Sequence, residues 1–523
     1  MRQSVPIQLV WFKRDLRIDD HQPLAEASAR GPVLCLYVYE PEILASPEYA
    51  AHHHQFINES LVELNHSLKQ RGGQLVIRCG EVVDILEELS RHYTIETLWS
   101  HAETGNAITF KRDRQVADWS HSRGIPWREF RQDGVIRRLK NRDGWSRRWD
   151  SKMALPITDA PRRIDSPKLK LSEGILTPSA VGLAPTTVTQ VQTGGESAAK
   201  ETLSNFLKER SVNYRSDMSS PVEGWSGCSR LSPYLAWGCI SMRAVSQATQ
   251  QRALELKQAR TEGADFPSTW LPSLRSFKSR LHWHCHFMQK LEDEPEMEFQ
   301  NICRSYDGMR EDDFDEVRFT AWCRGETGYP MVDACMRCLT QTGWLNFRMR
   351  AMLVSFASYH LWLHWRRPAI HLGRLFLDFE PGIHYSQVQM QSGTTGINTP
   401  RIYSPIKQAK DQDPTGTFIR HWIPELRDVP LPHIAEPQKM SLDEQSQARC
   451  CIGVDYPAPI VVHVDAYRSA RQKITAFKRA PETREAAKAV LEKHGSRKGA
   501  RRNPKNSKKP TKPTSHERQL NLS

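Results

Sequence analysis

Short runs rich in β-branched and aromatic residues alternate with amphipathic stretches through about the first 130 residues, and this alternation restricts the fold more than any other feature. The runs are IQLVWF from Ile7, VLCLYVY from Val33, QLVIR from Gln74, TLWSH from Thr97 and IPWREF from Ile125. Strands spaced by helices imply a parallel sheet flanked by those helices. In one intervening stretch Ile57, Leu61, Leu64 and Leu68 recur at helical spacing, and Gly72-Gly73 ends it. His52, His53 and His54 open that helix and read as solvated or capping side chains rather than metal ligands. No G-x-G-x-x-G follows the first strand, which argues against a dehydrogenase module.

From Leu155 the composition turns to Pro, Thr, Ser and Gly with weak periodicity, ending in QTGGES, and reads as an interdomain linker. Helical patterns then dominate. MVDACMRCLTQTGWL and RMRAMLVSFASYHLWLHW are too long for strands and too apolar for surface helices, so a helical bundle is expected. The chain of 523 residues exceeds what one core usually serves. It divides into an α/β domain at 1–140, a linker at 141–199, an all-α domain at 200–475 and a basic tail at 476–523.

The formal charge is +13, but His494–Ser523 carries nine Lys/Arg against Glu517 alone, leaving only about +5 on the body. Such a Pro-, Lys- and Ser-rich tail is expected to be disordered, and serves either non-specific DNA affinity or solubility. No apolar run approaches the roughly 20 residues that cross a bilayer. Met1–Leu16 lacks a secretory h-region, so the cytoplasm is the expected compartment. The eleven cysteines then read as reduced thiols. Cys335 and Cys338 form a C-x-x-C, but a metal there needs two more ligands, from Cys303, Cys323 or a histidine. Their apolar helical setting reads as core, and no metal is expected. Ser232-Pro233 is a helix-start pair whose hydroxyl caps free amides, with anion binding as the alternative.

Six segments share one further property. LVWFKRDLRIDDHQPL from Leu9, GCSRLSPYLAWGCIS from Gly227, GETGYPMVDACMR from Gly325, TGWLNFRMR from Thr342, RIYSP from Arg401 and FIRHWIPELRDVP from Phe418 occur in the order found in photolyases and cryptochromes. The chain resembles a divergent bacterial-type member of that family. The resemblance implies an N-terminal Rossmann-like parallel α/β antenna domain and a C-terminal α-helical FAD-binding domain holding U-shaped, non-covalent FAD.

By that resemblance Cys228, Ser229, Leu231 and Ser232 match the diphosphate-binding turn, with Cys228 where threonine is usual, and Tyr214 matches the aromatic residue before it. Arg350 and Asp378 match a buried pair beside the isoalloxazine. Glu380 stands where an aspartate accepts from the ring N–H. His384 matches the position facing flavin N5, where a protonatable side chain could donate a proton to the reduced ring, or serve as a neutral core histidine.

The implied reaction is light-driven electron transfer from reduced flavin to a pyrimidine dimer flipped out of damaged DNA and stacked on Trp283. Other matching positions are changed: Arg280 replaces an acidic residue, Phe347 an asparagine, Ala351 a methionine and Met390 a tryptophan. Arg280 either contacts the phosphate of a flipped lesion or seals the cavity. Of the tryptophan relay only Trp365 is retained, Val388 and Asp312 occupying the other positions, so Trp362, Tyr359 and Tyr385 are candidate substitutes. The resemblance implies an antenna pocket that holds a folate or a deazaflavin or stands empty, with Glu103 and Asn106 near its contacts. A monomeric photolyase is expected; the alternative is a cryptochrome-type photoreceptor without repair activity, read by a signalling partner.

Overall fold

The computed structural model describes residues 6–167, 172–312 and 314–496. Five strands, β1 (Ile7–Phe12), β2 (Val33–Tyr39), β3 (Leu75–Cys79), β4 (Ile95–Ala102) and β5 (Trp127–Arg131), form one sheet in the order β3-β2-β1-β4-β5. Every pairing is parallel, with Leu9 of β1 opposite Leu34 on one side and Leu98 on the other. Helices cover both faces, so β1 and β2 are buried along their whole length, which is why they read as unbroken apolar runs rather than alternating ones. Strand order reverses between β1 and β4, and such a reversal opens a crevice at the carboxyl ends of the strands.

The helix Ala51–Lys69 buries Ile57, Leu61, Leu64 and Leu68 as its spacing requires. The three histidines at its start are not solvated: all are buried. His53 accepts from the Ala50 amide through Nδ1 at 3.1 Å and donates through Nε2 to the Phe376 carbonyl at 2.8 Å. His54 donates to the Leu176 carbonyl at 2.8 Å. Capping is part of their role, but they also tie the sheet half to the intervening segment and to the helical half.

That segment is more structured than a linker. Trp145–Met153 is a helix burying Trp145, Trp149 and Met153, and Glu196–Lys208 already begins the next. The extended chain between them is strapped down by backbone bonds, Ile164 to Arg71 and Val33 to Asp165, each at 2.7 Å, and Glu173 to Ile77 at 2.9 Å. Proline-rich composition signalled the missing periodicity but not the bonding.

The remaining chain is helical, packed around Trp322, Met336, Leu339, Leu353 and Trp365. The two halves meet where the β1 loop approaches Gly238, whose φ is +68° and where a Cβ would lie 2.1 Å from the Arg14 carbonyl oxygen, so only glycine fits. The expectation of a disordered tail from residue 476 is corrected as far as His494. Helix His463–Arg479 runs past that point, and Pro481–His494 is a further helix with Val490 and His494 buried. Glu294 anchors it, accepting from Lys493 at 2.9 Å and from His494 at 2.6 Å. The nine basic residues of the tail lie outside the described residues. No helix among the described residues is long and apolar enough to cross a membrane.

Candidate functional site

The turn before Ser232 is built by cation and carbonyl. Arg210 donates to the carbonyls of Ser226 at 3.1 Å, Cys228, and Ser229 at 3.3 Å, which holds the chain in a tight curve. The Ser229 hydroxyl accepts from the Leu231 amide at 3.4 Å. Burial pushes the Cys228 thiol up to about 12, so it remains protonated. Arg230, which sequence reasoning passed over, sits at φ +60° with its guanidinium 4.3 Å from the ring of Trp225 and 4.0 Å from that of Trp344. Its Nη1 is buried without a partner. Ser232 does not cap: helix Ser232–Ala236 has no side-chain cap bond, and the Ser232 hydroxyl turns to Asp378.

Asp378 accepts from both terminal nitrogens of Arg350, each at 2.9 Å, and Arg350 also donates to the Leu345 carbonyl at 2.7 Å while stacking 4.0 Å over Phe376. Burial opposes the charge on Asp378, but the Arg350 guanidinium and the Ser232 hydroxyl together hold its carboxyl below the usual range.

Glu380 is different. One oxygen faces Arg14 of the β1 loop at 3.5 Å; the other, Oε1, is buried with no partner. Burial pushes its carboxyl up to about 7, only partly countered by Arg14. Arg14 is itself fixed by the Phe379 carbonyl at 2.7 Å and by stacking 4.4 Å over Trp237. Glu380 lines a cavity of about 460 Å³ together with Arg14, Gln132, Leu235, His284 and Met288. His284 Nδ1 is likewise unpartnered. Burial lowers His284 to about 4, so its ring is neutral. Unpaired buried groups each cost about 1–3 kcal/mol. Their grouping here, with an unpaired guanidinium nitrogen at the turn, suits a ligand that carries both a polar heterocycle and an anion.

Residues 8–140 match the family described as DNA photolyase, and residues 260–476 match the FAD binding domain of DNA photolyase. A deoxyribodipyrimidine photo-lyase of Alkalihalophilus pseudofirmus is 28% identical over 490 residues, covering 88% of this chain and 96% of its own. A cryptochrome DASH of Synechocystis is 27% identical over 503 residues, covering 88% and 96%. The crystal structure of a bacterial class III photolyase from Agrobacterium tumefaciens superposes with a TM-score of 0.79 at 27% identity, covering 92% of this chain and 99% of that one. The chain belongs to the photolyase/cryptochrome family. Its helical half is accordingly a FAD-binding domain, and its sheet half has the architecture of the family's α/β antenna domain.

Within this photolyase/cryptochrome fold the other expected residues fall into distinct places. His384 is half-buried, and its Nε2 donates to the Ala369 carbonyl at 2.8 Å. Burial holds it down to about 4. It is a neutral ring whose single N–H is given to Ala369. Trp283 is partly exposed, stacked on Phe287 at 5.6 Å and edge-on to His286 at 4.9 Å. Arg280 and Tyr214 are brought together by a side-chain bond, with the guanidinium 5.8 Å over Phe347. Tyr214 is otherwise enclosed by Phe206 and Phe277. Trp365 is fully buried and donates to Asn301 Oδ1 at 2.7 Å.

At the carboxyl ends of β1, β2 and β4 lies a second concavity of about 800 Å³, lined by Tyr37, Tyr39, Tyr49, Glu103, Asn106 and Arg112 among others. Glu103 is bonded to Arg112 at 2.6 Å, and Asn106 caps the helix that follows it, accepting from the Thr109 amide. Cys335 and Cys338 are buried core thiols that join no cluster of three ligands among the described residues. One such cluster does exist, Asp15 with His21 and His101. Since His21 Nδ1 accepts from the Leu24 amide, its Nε2 carries the proton given to Asp15, and the trio is a hydrogen-bonded hub in that state.

Proposed function

We propose that this chain is a blue-light-driven DNA photolyase that splits ultraviolet-induced pyrimidine dimers in damaged DNA. The observation that carries this reading is the juxtaposition, on and around helix Trp270–Asp293, of a cavity with unpaired polar atoms on Glu380 and His284 and the partly exposed face of Trp283. FAD, when bound, supplies the light-driven transfer of one electron to the lesion. Glu380 Oε1 accepts from a ring N–H, and the Arg350–Asp378 pair flanks the ring while fixing Ser232. The turn Cys228–Ser232, with the Arg230 guanidinium, holds the diphosphate. Trp283 gives a flipped base a face to stack on. The role of His384 is to accept through Nδ1 and to keep the ring's surroundings neutral. The larger concavity at the reversal of strand order is the antenna site, suited to a folate or deazaflavin stacked among its tyrosines. The protein works in the cytoplasm as a monomer.

The test is illumination of flavin-reduced protein with oligonucleotides carrying a cyclobutane dimer or a 6-4 product, scored for restored bases by chromatography. Restoration of either supports the reading. In parallel, Trp283→Ala should weaken binding of the damaged strand by about 1–3 kcal/mol. A second reading, a cryptochrome-type photoreceptor read by a signalling partner, is favoured by Arg280: its guanidinium is engaged by Tyr214 rather than held out to a lesion phosphate. Failure to restore either lesion selects it.

A further inference from the structure

We propose that Tyr385, with Glu48 as its proton acceptor, is the oxidisable link through which electrons pass between Trp365 and the flavin site. The inference rests on the flavin reading above and assigns a role to two residues that reading leaves unused.

Tyr385 follows His384 on helix Pro381–Ser392, with its ring centroid 5.5 Å from the imidazole and 6.3 Å from Trp365. One turn further, Val388 offers no oxidisable ring. The Tyr385 ring is buried, yet its hydroxyl is not stranded: it donates to Glu48 Oε1, a side chain from the sheet half. Glu48 in turn lines the 800 Å³ concavity, so a proton placed on it has an outlet.

Proton acceptance decides among the aromatic candidates. A phenol that loses an electron becomes a strong acid, and in a low-dielectric interior the resulting charge is costly unless the proton leaves at the same time. Tyr359 is buried with its hydroxyl unpartnered, so it lacks an acceptor. Trp362 has Arg310 at 4.4 Å and Lys473 at 4.5 Å from its ring, two cations that oppose a positive hole. Tyr385 alone of the three pairs an oxidisable ring with a carboxylate. Burial and the charge of Glu48 both push the phenol pKa well up, so it does not ionise beforehand and proton and electron leave together.

One electron leaves Tyr385 for the light-excited isoalloxazine, and the O–H proton moves to Glu48. The tyrosyl radical then takes an electron from Trp365 and its proton back from Glu48. Trp365 is buried, so it is refilled by electron tunnelling from a thiol at the protein surface, two thiols being oxidised to one disulfide with two protons released to solvent for every two electrons delivered.

Flavin content of the purified holoprotein is measured first, by visible absorbance. Blue-light flavin reduction with dithiothreitol as donor is then followed in the parent, Y385F and E48Q, in H2O and D2O, with transient detection of a tyrosyl radical. The expected result is a slowing of about tenfold or more in Y385F with loss of the tyrosyl signal, and a comparable slowing in E48Q with loss of the solvent isotope effect. Flavin-replete Y385F reducing at the parental rate overturns the relay and leaves the flavin reading intact. Protein that takes up no flavin brings both down. Should Y385F fold poorly, E48Q decides alone, and a parental rate and isotope effect there overturn the proposal.

Discussion

The concavity at the strand ends and the cavity of the helical half are polar in opposite ways. In the concavity at the strand ends, Arg112 meets Glu40 and Glu103 at 2.6 Å and Asp113 at 2.8 Å, and Lys13 approaches Asp113 at 3.4 Å. Charge there is closed upon itself, and burial is outweighed by the surrounding carboxylates, which hold the Arg112 guanidinium well above its ordinary pKa. In the helical cavity, Glu380 and His284 each keep an atom unpaired. A closed network stabilises the fold with or without a ligand; an open one is completed by the ligand. Mutations should therefore separate folding from cofactor uptake. The largest expected effect is for Arg112→Met, which strands the buried carboxylates of Glu40 and Glu103 while Asp113 keeps Lys13, and should cost about 3–5 kcal/mol in denaturant unfolding, with flavin bound per folded molecule unchanged. Parallel loss of flavin would show the two regions to be one energetic unit.

Asp378→Asn tests the opposite side. An amide oxygen replaces a bidentate carboxylate, so Arg350 loses its countercharge, and about 2–3 kcal/mol of stability should go with it. Because Asp378 sets both Arg350 and Ser232, flavin content should fall by at least about tenfold, a drop that needs a change of only about 1.4 kcal/mol in binding free energy. The pH dependence has a definite sign. A carboxyl held below its unfolded value near 4 contributes stability above that value and loses it as pH falls toward the folded one. The parent should therefore shed more stability than the variant on acidification from about pH 5, as read by unfolding midpoints across that range.

How much of this contrast the sequence displays depends on whether the signal is local. The sheet was legible because β1 and β2 are contiguous apolar runs, and the helix at Ala51–Lys69 because its spacing is regular. Arg350, Asp378 and Glu380 were legible only through the resemblance, since nothing local marks a pair 28 positions apart or a carboxylate whose partner, Arg14, arrives from the other half. Arg230 was passed over because its meaning lies in two tryptophans, Trp225 and Trp344, that only the fold brings to it. His52–His54 misled because polar residues at a helix start are usually exposed, whereas here the Phe376 and Leu176 carbonyls bind His53 and His54 in the interior, and the Thr186 hydroxyl meets His52. The helix Pro481–His494 was hidden by composition: its anchor is Glu294, some 200 positions away.

The smallest expected effect sharpens the comparison most. Glu380 and Glu40 are both pushed up to about 7, burial being the main cause in each, with Arg14 and Arg112 as the respective opposing cations. The unfolded value is about 4.3, so between the two values the folded chain binds more protons and stability falls as pH rises. Replacing either residue by Gln removes its share of that slope between pH 4 and pH 8. Added FAD distinguishes them. A ring N–H donated to Glu380 Oε1 favours the carboxylate and pulls its pKa down, flattening the Glu380 share, while the Arg112 network gains nothing and the Glu40 share persists. The measurement is the difference in unfolding free energy between parent and E380Q, and between parent and E40Q, across that pH range with and without FAD. If FAD leaves the Glu380 difference untouched, the unpaired oxygen is not where the cofactor binds, and the distinction between a closed and an open polar site fails at its most specific point.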